Sequence, residues 1–325
     1  MTYAALIETT GDADVIQWRA IDLPPPGAGE VRIRTTAVGV NYRDIYLRRG
    51  LYPMQAMPGV LGSESVGVVE AVGPGVDEFA PGDRVGTFGP SDGAYATERV
   101  VRARDLFRLP DTIDDRTAAA LLLKGCTTEM LVERCARVQA GEVALVWAAA
   151  GGVGQLLVGW LKTVGATVIA VVGTSAKAEI ARVLGADHVL LHREHDIAAE
   201  VRALTGGSGA HAVFDGVGQA SWGASLKATA RRGLIVSYGN AGGPVTGVGL
   251  GVLAQHGSLF VTRPTLFDYY VTPDERSAGI ARVFAMHDSG AIKPTIGQTF
   301  RLEDAAAAHR ALEAGETEGS TVLLP

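Results

Sequence analysis

The stretch that decides the fold is VALVWAAAGGVGQLLVGWLKTV, residues 143–164. Its apolar start, Val143 to Trp147, is typical of a buried strand, and Gln155 to Val164 has the composition of an apolar helix. AAAGGVG, residues 148–154, lies between them. Glycines at such a turn let backbone N–H groups reach a pyrophosphate and let the helix pack closely on the sheet. Because a helix N-terminus also carries a partial positive charge, the stretch predicts a dinucleotide-binding turn.

The chain continues to alternate between strands and helices after this turn. We predict strands at Thr167–Val172, His188–Leu191, Ala212–Asp215, Leu234–Tyr238 and Leu259–Thr262, with helices at Ala176–Leu184, Ile197–Leu204 and Trp222–Ala230. Such alternation is typical of βαβ units on a parallel sheet. The sequence therefore predicts an α/β Rossmann fold, a doubly wound parallel sheet of six strands.

The residues before this region have a different pattern, with short β-branched runs between Gly, Pro and Asp. Val31–Val40, Ser65–Val72 and Arg84–Phe88 are examples, and they predict an all-β, barrel-like first domain. The tail after about Arg263 contains a predicted helix and a last β-segment, Gly319–Leu324, but no further βαβ unit. We expect this tail to return to the first domain.

Charge and composition exclude several classes of protein. The net charge is −6 and the sequence has no basic stripe, which argues against nucleic-acid binding. We find no leader pattern and no run of about 18 apolar residues, so we expect a soluble, cytoplasmic protein without a membrane segment. The two cysteines, Cys126 and Cys135, are expected to be reduced thiols.

Cofactor choice can be predicted from the end of the second strand of the parallel sheet. Folds that prefer NAD place a carboxylate about 20 residues after the glycine turn, where it binds the ribose 2′-hydroxyl. Residues 171–177 read VVGTSAK and contain no acid. Hydroxyl groups and the Lys177 ammonium suit a 2′-phosphate instead, so NADPH is expected rather than NADH.

Taken as a whole, the sequence resembles the medium-chain dehydrogenase/reductase superfamily, in its bacterial NADPH:quinone oxidoreductase (zeta-crystallin-like) branch. The resemblance covers nearly the whole chain and rests on these motifs: residues 41–53 (NYRDIYLRRGLYP), 62–64 (GSE), 81–85 (PGDRV), 123–125 (LKG), AAAGGVG, 231–240 (RRGLIVSYGN), 245–248 (VTGV) and 257–265 (GSLFVTRPT). It implies a GroES-like β-barrel catalytic domain from residues 1–124 and 265–325, and a Rossmann NADPH-binding domain from residues 125–264. It also implies a nicotinamide cleft at their junction and a homodimer joined through the Rossmann edge strand near Ser258 to Thr262.

The resemblance bears on whether zinc is needed. Zinc-dependent relatives hold a catalytic metal at three places that correspond here to Asn41, Ser63 and Lys124. Amide, hydroxyl and ammonium groups do not suit zinc, which binds Cys, His or carboxylate ligands. We therefore expect no metal. Without a Lewis acid, a quinone is a better hydride acceptor than an unactivated carbonyl, because its π-system delocalises the incoming charge.

The resemblance also implies roles for individual residues. Asn41, Tyr46, Tyr52 and Lys124 are the candidate catalytic residues, as hydrogen-bond donors or as walls of the acceptor pocket. The expected cofactor contacts are Asn41, Thr127, Gly151, Gly152, Val153, Gly173, Thr174, Lys177, His192, Tyr238, Gly239, Asn240 and Arg263. Two positions depart from the family: His192 replaces a common tyrosine, and Gly315-Glu316 lies where an arginine is frequent.

Two other functions are compatible with the same sequence. An NADPH-dependent alkenal or enone double-bond reductase would use the same cleft and hydride geometry. A non-enzymatic alternative is a nucleotide-binding, redox-responsive RNA-binding or structural protein, against which the acidic composition argues.

The cofactor preference can be tested by reversing one charge. Lys177→Glu should lower the ratio of kcat/KM for NADPH to that for NADH by about tenfold or more, because a carboxylate repels the 2′-phosphate. Steady-state kinetics with both cofactors measures the ratio, and Lys227→Glu, outside the predicted turn, is the control. An unchanged ratio in Lys177→Glu would rule out the assignment.

Overall fold

The computed structural model describes residues 1–89 and 91–325. The chain forms two compact units. Unit 1 comprises Met1–Leu123 and Pro294–Pro325, and unit 2 comprises Lys124–Lys293.

Strands and helices are numbered in chain order. The strands are β1 (Thr2–Ile7), β2 (Gln17–Ile21), β3 (Glu30–Val40), β4 (Gly59–Val60), β5 (Glu64–Val72), β6 (Arg84–Phe88), β7 (Glu98–Arg102), β8 (Leu106–Arg108), β9 (Val143–Trp147), β10 (Thr167–Val172), β11 (His188–Leu191), β12 (Ala210–Asp215), β13 (Thr229–Ser237), β14 (Phe260–Thr262), β15 (Ile296–Arg301) and β16 (Ser320–Leu324). The α-helices are α1 (Tyr42–Arg49), α2 (Asp115–Glu129), α3 (Gly152–Val164), α4 (Ser175–Val183), α5 (Ile197–Leu204), α6 (Gln219–Ala228), α7 (Gly251–Gln255), α8 (Leu266–Tyr269), α9 (Pro273–Asp288) and α10 (Ala305–Glu313).

Unit 1 is built mainly from antiparallel strands. Its larger sheet has the order β15-β16-β3-β5-β6-β8, with β7 paired to β3, and a smaller sheet has the order β2-β1-β4. Alternate residues of β3, such as Val31 and Ile33, are fully buried against Val69 and Val85. This alternation is the period-2 pattern of a strand with one face in a core. The predicted β-rich first domain is confirmed, but it is not all-β, because unit 1 also contains α1, α10 and the first part of α2.

Unit 2 contains a parallel sheet with the strand order β11-β10-β9-β12-β13-β14. Every pairing in it is parallel, as the alternation of strands and helices predicted. Leu145, Ile169 and Val213, from three neighbouring strands, are buried together in one cluster. The predicted doubly wound sheet is confirmed in strand number and direction.

Unit 2 extends further along the chain than the predicted boundary at residue 264. Residues 265–293 belong to it, whereas the sequence assigned them to the first domain. Tyr270 donates a hydrogen bond to Glu129 at 3.0 Å, and the Arg134 guanidinium lies 4.8 Å from the Tyr270 ring centre. Arg282 donates to Glu133 at 2.9 Å. These contacts hold α8 and α9, which add no strand to the sheet and so left no βαβ pattern in the sequence.

The two cysteines lie in adjoining helical segments. Cys126 is in α2, and Cys135 is in a π-helical segment, Met130–Ala136, that follows it. Both are free thiols, as predicted. Within residues 1–89 and 91–325, none of the helices combines the length and the apolar character that a bilayer crossing requires.

A buried polar cluster anchors α10 to α1 in unit 1. Arg48 and His309 are both fully buried. Arg48 donates to Glu313 at 2.7 Å and to the carbonyl oxygen of Gly11 at 3.1 Å, and its Nη1 lies 3.5 Å from His309 Nδ1. On the other side of the ring, His309 Nε2 lies 3.1 Å from the Tyr95 hydroxyl. Burial, followed by the charge of Arg48, lowers the pKa of His309 to about 3.

This lowered pKa predicts how acid affects stability. In the unfolded chain His309 binds a proton below about pH 6.5, whereas the folded ring stays neutral down to about pH 3. The contribution of the neutral ring to the free energy of unfolding is therefore fully present above about pH 6.5 and decreases as the pH falls. Between pH 7 and about pH 4.5, the stability advantage of wild type over His309→Gln should shrink by about 3 kcal/mol. Urea unfolding at both pH values measures it.

The matched control is His256→Gln, whose ring is only half-buried in unit 2. The difference in the free energy of unfolding between wild type and His256→Gln should change, between the same two pH values, by well under half of the change expected for His309→Gln. If the advantage over His309→Gln stays constant across this pH range, His309 is not held neutral in the folded protein.

Candidate functional site

The glycine turn of unit 2 joins β9 to α3 by a short, tightly bonded segment. The Gly151 N–H donates to the carbonyl oxygen of Ala148 at 2.9 Å, and α3 begins at Gly152. A Cβ on Gly154 would lie 2.2 Å from that same carbonyl oxygen, a distance that no side chain tolerates. Glycine is therefore required there for α3 to start against the sheet. Val153 lies at the same helix N-terminus, where free N–H groups can bind a phosphate.

The turn after β10 contains the residues expected to bind the 2′-phosphate. Thr174 caps α4 and accepts a hydrogen bond from the Lys177 backbone N–H at 3.3 Å. His192 follows β11, the neighbouring strand, and its Nε2 lies 3.1 Å from where a Cβ on Gly173 would be. Burial, then the charge of Arg193, lowers the pKa of His192. Gly173, Thr174, Lys177 and His192 are thus brought together.

A third segment follows β12 and β13. The buried Asp215 carboxylate accepts hydrogen bonds from the backbone of Val217 and Gly218 and from two serine hydroxyls, which fixes the turn into α6. A Cβ on Gly239 would lie 2.2 Å from the carbonyl oxygen of Gly216, so the two strand ends approach closely. The Tyr238 N–H donates to the carbonyl oxygen of Asp215 at 2.9 Å.

Arg263 organises the end of β13 through its guanidinium. Nη1 donates to the carbonyl oxygens of Ser237, at 2.9 Å, and Gly239, at 2.8 Å. With its amide oxygen turned toward this guanidinium, Asn240 accepts from Nη2 at 2.8 Å. Arg263 therefore holds the backbone of the predicted cofactor-binding residues in place.

Lys124 and Thr127 lie one turn apart on α2. They are three positions apart, so both side chains leave the same side of the helix. Lys124 is buried and Thr127 is half-buried.

The predicted cofactor contacts in unit 2 share one location, apart from Thr127 on α2. They follow the carboxyl ends of β9, β10, β11, β13 and β14, and parallel strands all end at one edge of a sheet. Ligands of open α/β sheets bind at this edge, where the strand order reverses. Here the order reverses at β9, whose neighbours are β10 and β12.

Asn41 is the central predicted residue of unit 1. It precedes α1, and its Nδ2 donates to Glu64 Oε1 at 2.8 Å and to the carbonyl oxygen of Gly39 at 3.2 Å. Glu64 is fully buried, and its other oxygen accepts from the Leu123 N–H at 2.9 Å. Asn41 is thus held in one orientation by a buried carboxylate.

The two predicted tyrosines lie against each other. The ring centres of Tyr46 and Tyr52 are 5.2 Å apart, edge to face, and those of Tyr42 and Tyr46 are 6.0 Å apart. Tyr46 is 7% exposed and Tyr52 is half-buried, so Tyr52 is the more accessible of the two.

Ser63 is not available as a metal ligand. Its Oγ accepts a hydrogen bond from Arg43 Nη1 at 2.7 Å and donates to the carboxylate of Asp44. A guanidinium beside this hydroxyl, and an ammonium at Lys124, would repel a zinc ion. The residues at the three corresponding places therefore do not fit zinc. Zinc independence itself stays a prediction.

Sequence reasoning missed a group of buried residues behind Asn41 and Ser63. Asp44, Tyr95 and His309 are fully buried and connected, since the Tyr95 hydroxyl donates to Asp44 at 3.0 Å. Burial raises the pKa of Asp44 to about 6, against the opposing effect of its hydrogen bonds and of Arg43. One signal was present: an acid three residues after Asn41 is typical of a helix start, and Asn41 N donates to Asp44 at 2.9 Å.

Two protein families match this chain. Residues 27–111 match the alcohol dehydrogenase GroES-like domain, and residues 152–276 match the zinc-binding dehydrogenase family. The first range lies in unit 1 and the second in unit 2. The second family's description names zinc, which the residues at the three corresponding places do not fit.

Full-length relatives agree with these matches. The chain is 45% identical to a quinone oxidoreductase of Pseudomonas aeruginosa, over 97% of both chains. It is 41% identical to a 2-haloacrylate reductase of a Burkholderia species, over 100% of this chain and 99% of the relative. The crystal structure of Escherichia coli quinone oxidoreductase complexed with NADPH has a TM-score of 0.97 at 39% identity and covers 100% of both chains. With its GroES-like and Rossmann-type units, the chain belongs to the quinone oxidoreductase family of medium-chain dehydrogenases/reductases.

Proposed function

We propose that this protein is an NADPH-dependent quinone oxidoreductase that transfers hydride from NADPH to a quinone without zinc. The observation that carries the proposal is the carboxyl edge of the unit 2 sheet. There the glycine turn lies at the N-terminus of α3, and Thr174, Lys177 and His192 lie near one another, in a turn whose residues 171–177 contain no acid. This arrangement suits a pyrophosphate and a 2′-phosphate.

The cofactor's parts can be assigned to groups of unit 2. The N–H groups at the start of α3 would hold the pyrophosphate, and the cluster around Lys177 would hold the 2′-phosphate. Tyr238, Gly239 and Asn240, kept in place by Arg263, would contact the nicotinamide half. When bound, NADPH supplies the hydride from C4 of its nicotinamide ring. We propose that this binding domain extends to Lys293, the end of unit 2.

Unit 1 supplies the groups suited to the acceptor. The Tyr46 and Tyr52 rings can stack on a flat quinone, and their hydroxyls can donate hydrogen bonds to its oxygens. Asn41, whose amide N–H groups are bonded to Glu64 and Gly39, would form a wall of this pocket. We propose Lys124, the first residue of unit 2, as a further donor. Hydride addition leaves negative charge on a quinone oxygen, and such donors stabilise that charge before a proton from solvent neutralises it. The named activities of the Pseudomonas and Escherichia coli relatives support this acceptor class.

Activated carbon–carbon double bonds are a second class of acceptor to be tested. The Burkholderia relative is named for the reduction of a haloacrylate, an activated carbon–carbon double bond. The same donors would stabilise an enolate as well as a quinone oxyanion. Quinones remain the primary proposal because relatives of similar or greater identity carry that name.

The proposal predicts that wild type turns over quinone with NADPH and that one variant, Gly154→Ala, binds NADPH more weakly. Wild-type protein should oxidise NADPH in the presence of 1,4-benzoquinone, followed by loss of nicotinamide absorbance, and faster than with 2-chloroacrylate or an enal. Gly154→Ala should bind NADPH at least about tenfold more weakly, because its Cβ would displace the Ala148 carbonyl beside the phosphate-binding turn.

The matched control is Gly223→Ala on α6, where a Cβ meets no atom within 4 Å. It should retain wild-type binding in a fluorescence titration. No NADPH binding by wild type would refute the proposal, and binding with reduction of enals alone would move it to the second acceptor class.

We further propose a homodimer formed through β14, and a location in the cytoplasm. In the strand order, β14 stands at the end of the sheet, and its Phe260 is 59% exposed. Leu250, shortly before this strand, is 80% exposed. An exposed apolar edge strand can pair with a second copy of itself, which would hide both features. The free thiols suit the reducing cytoplasm.

The proposed dimer predicts that introducing one charge on β14 converts the protein to a monomer. Phe260→Lys should sediment as a monomer at micromolar concentration, whereas wild type sediments as a dimer, because the charge would be buried at the strand pairing. Val183→Lys, at a position 79% exposed on α4, should remain dimeric. Equal sedimentation of wild type and Phe260→Lys would refute the interface.

A further inference from the structure

Asp44 is a buried carboxylate that the proposed reaction does not use directly. Its side chain is fully buried in unit 1, and it accepts hydrogen bonds from three different segments. They come from the Asn41 N–H at 2.9 Å, the Ser63 hydroxyl, and the Tyr95 hydroxyl at 3.0 Å. Burying a carboxylate away from water costs free energy unless hydrogen bonds compensate for the lost hydration, and these three bonds do so.

A second layer of buried groups holds this carboxylate in place. Tyr95 Oη lies 3.1 Å from His309 Nε2, and Arg48 Nη1 lies 3.5 Å from His309 Nδ1. The Arg48 guanidinium donates to Nδ1, so Nε2 carries the proton and donates to Tyr95, whose own proton points at Asp44. Every donor in the series is therefore directed toward the carboxylate.

We propose that Asp44 is a positioning residue of the acceptor site, which in its charged form fixes Asn41 and Ser63 and is itself fixed by Tyr95 and His309. The inference rests on the proposed function, since Asn41 is the group that would meet the acceptor. Three contacts hold Asn41: Glu64 and the carbonyl oxygen of Gly39 accept from its amide, and Asp44 accepts from its backbone. Asp44 therefore sets where the backbone of Asn41 lies, and Glu64 sets where its amide points.

The charge on Asp44 is needed because all three of its partners donate. An ionised carboxylate only accepts, whereas a protonated one must donate its own proton, which forces one partner to turn away. The charged groups near it are Arg43 and Arg48 from α1 and Glu64 on β5. The titratable His309 on α10 is also near, in its neutral form. Burial raises the pKa of Asp44 to about 6, so the ionised form is lost just below neutral pH.

The first test is the variant Asp44→Asn, measured as NADPH-dependent reduction of 1,4-benzoquinone across about pH 5 to 8. Wild-type kcat should fall as the pH drops through about 6, because protonation of Asp44 disturbs Asn41 and Ser63. The variant should have kcat at pH 7.5 lowered by about tenfold or more, with little change in the KM for NADPH, and should lack the acid limb.

A second variant keeps the test valid if Asp44→Asn does not fold. Tyr95→Phe keeps the ring and removes one donor to the carboxylate, so the charged form of Asp44 loses support. The acid limb of its kcat profile should move upward by about half a pH unit or more. A purely structural role for Tyr95 would lower the amount of folded protein without moving this limb.

The matched control is Ile33→Val, a fully buried position in a different core cluster of unit 1. It should lose stability while its kcat and its pH profile stay those of wild type. The proposal is overturned if wild type is active but has no acid limb, or if Asp44→Asn and Tyr95→Phe both keep the wild-type profile. Absence of any NADPH binding by wild type would instead overturn the proposed function, and the inference with it.

Discussion

The direction of the strands in unit 2 is the constraint on which the rest of the structure depends. Because every pairing in its six-strand sheet is parallel, each strand ends at the same edge. Turns that are far apart in sequence, after β9, β10, β11 and β13, therefore collect polar side chains and free N–H groups in one place. The close approaches at Gly154 and Gly239 let the backbone itself form that edge.

Local patterns in the sequence were enough to predict this unit. A turn such as AAAGGVG acts through its own backbone, and the strands beside it are read from short apolar runs. The positions of Thr174 and Lys177 follow from the same logic, since the end of a strand and the start of the next helix are neighbours in sequence. The extent of the unit was not predictable in this way. Residues 265–293 are held by Tyr270 and Arg282, whose partners lie on a distant helical segment.

The buried network of unit 1 shows the limit of such reasoning more clearly. Tyr95 is separated from Asp44 by 51 positions and from His309 by 214. No periodicity connects residues at these distances, because the contact exists only once α10 has packed against α1. A charged residue in a short helix is normally exposed, so Asp44 and Arg48 gave no sign of being fully buried. The side chains that surround Asn41 were thus invisible, although Asn41 itself was identified from a motif.

Unit 1 is made from both ends of the chain, and this has a consequence for biosynthesis. Pro294–Pro325 contributes β15, β16 and α10 to it, and β16 pairs with β3. A ribosome releases the chain from its N-terminus, so these last pieces are missing during most of translation. The nucleotide-binding half is contiguous and can acquire its core first, while the sheet begun by the opening segment waits with an unfilled edge. Until β16 arrives, the backbone groups of β3 that face it have no strand to pair with.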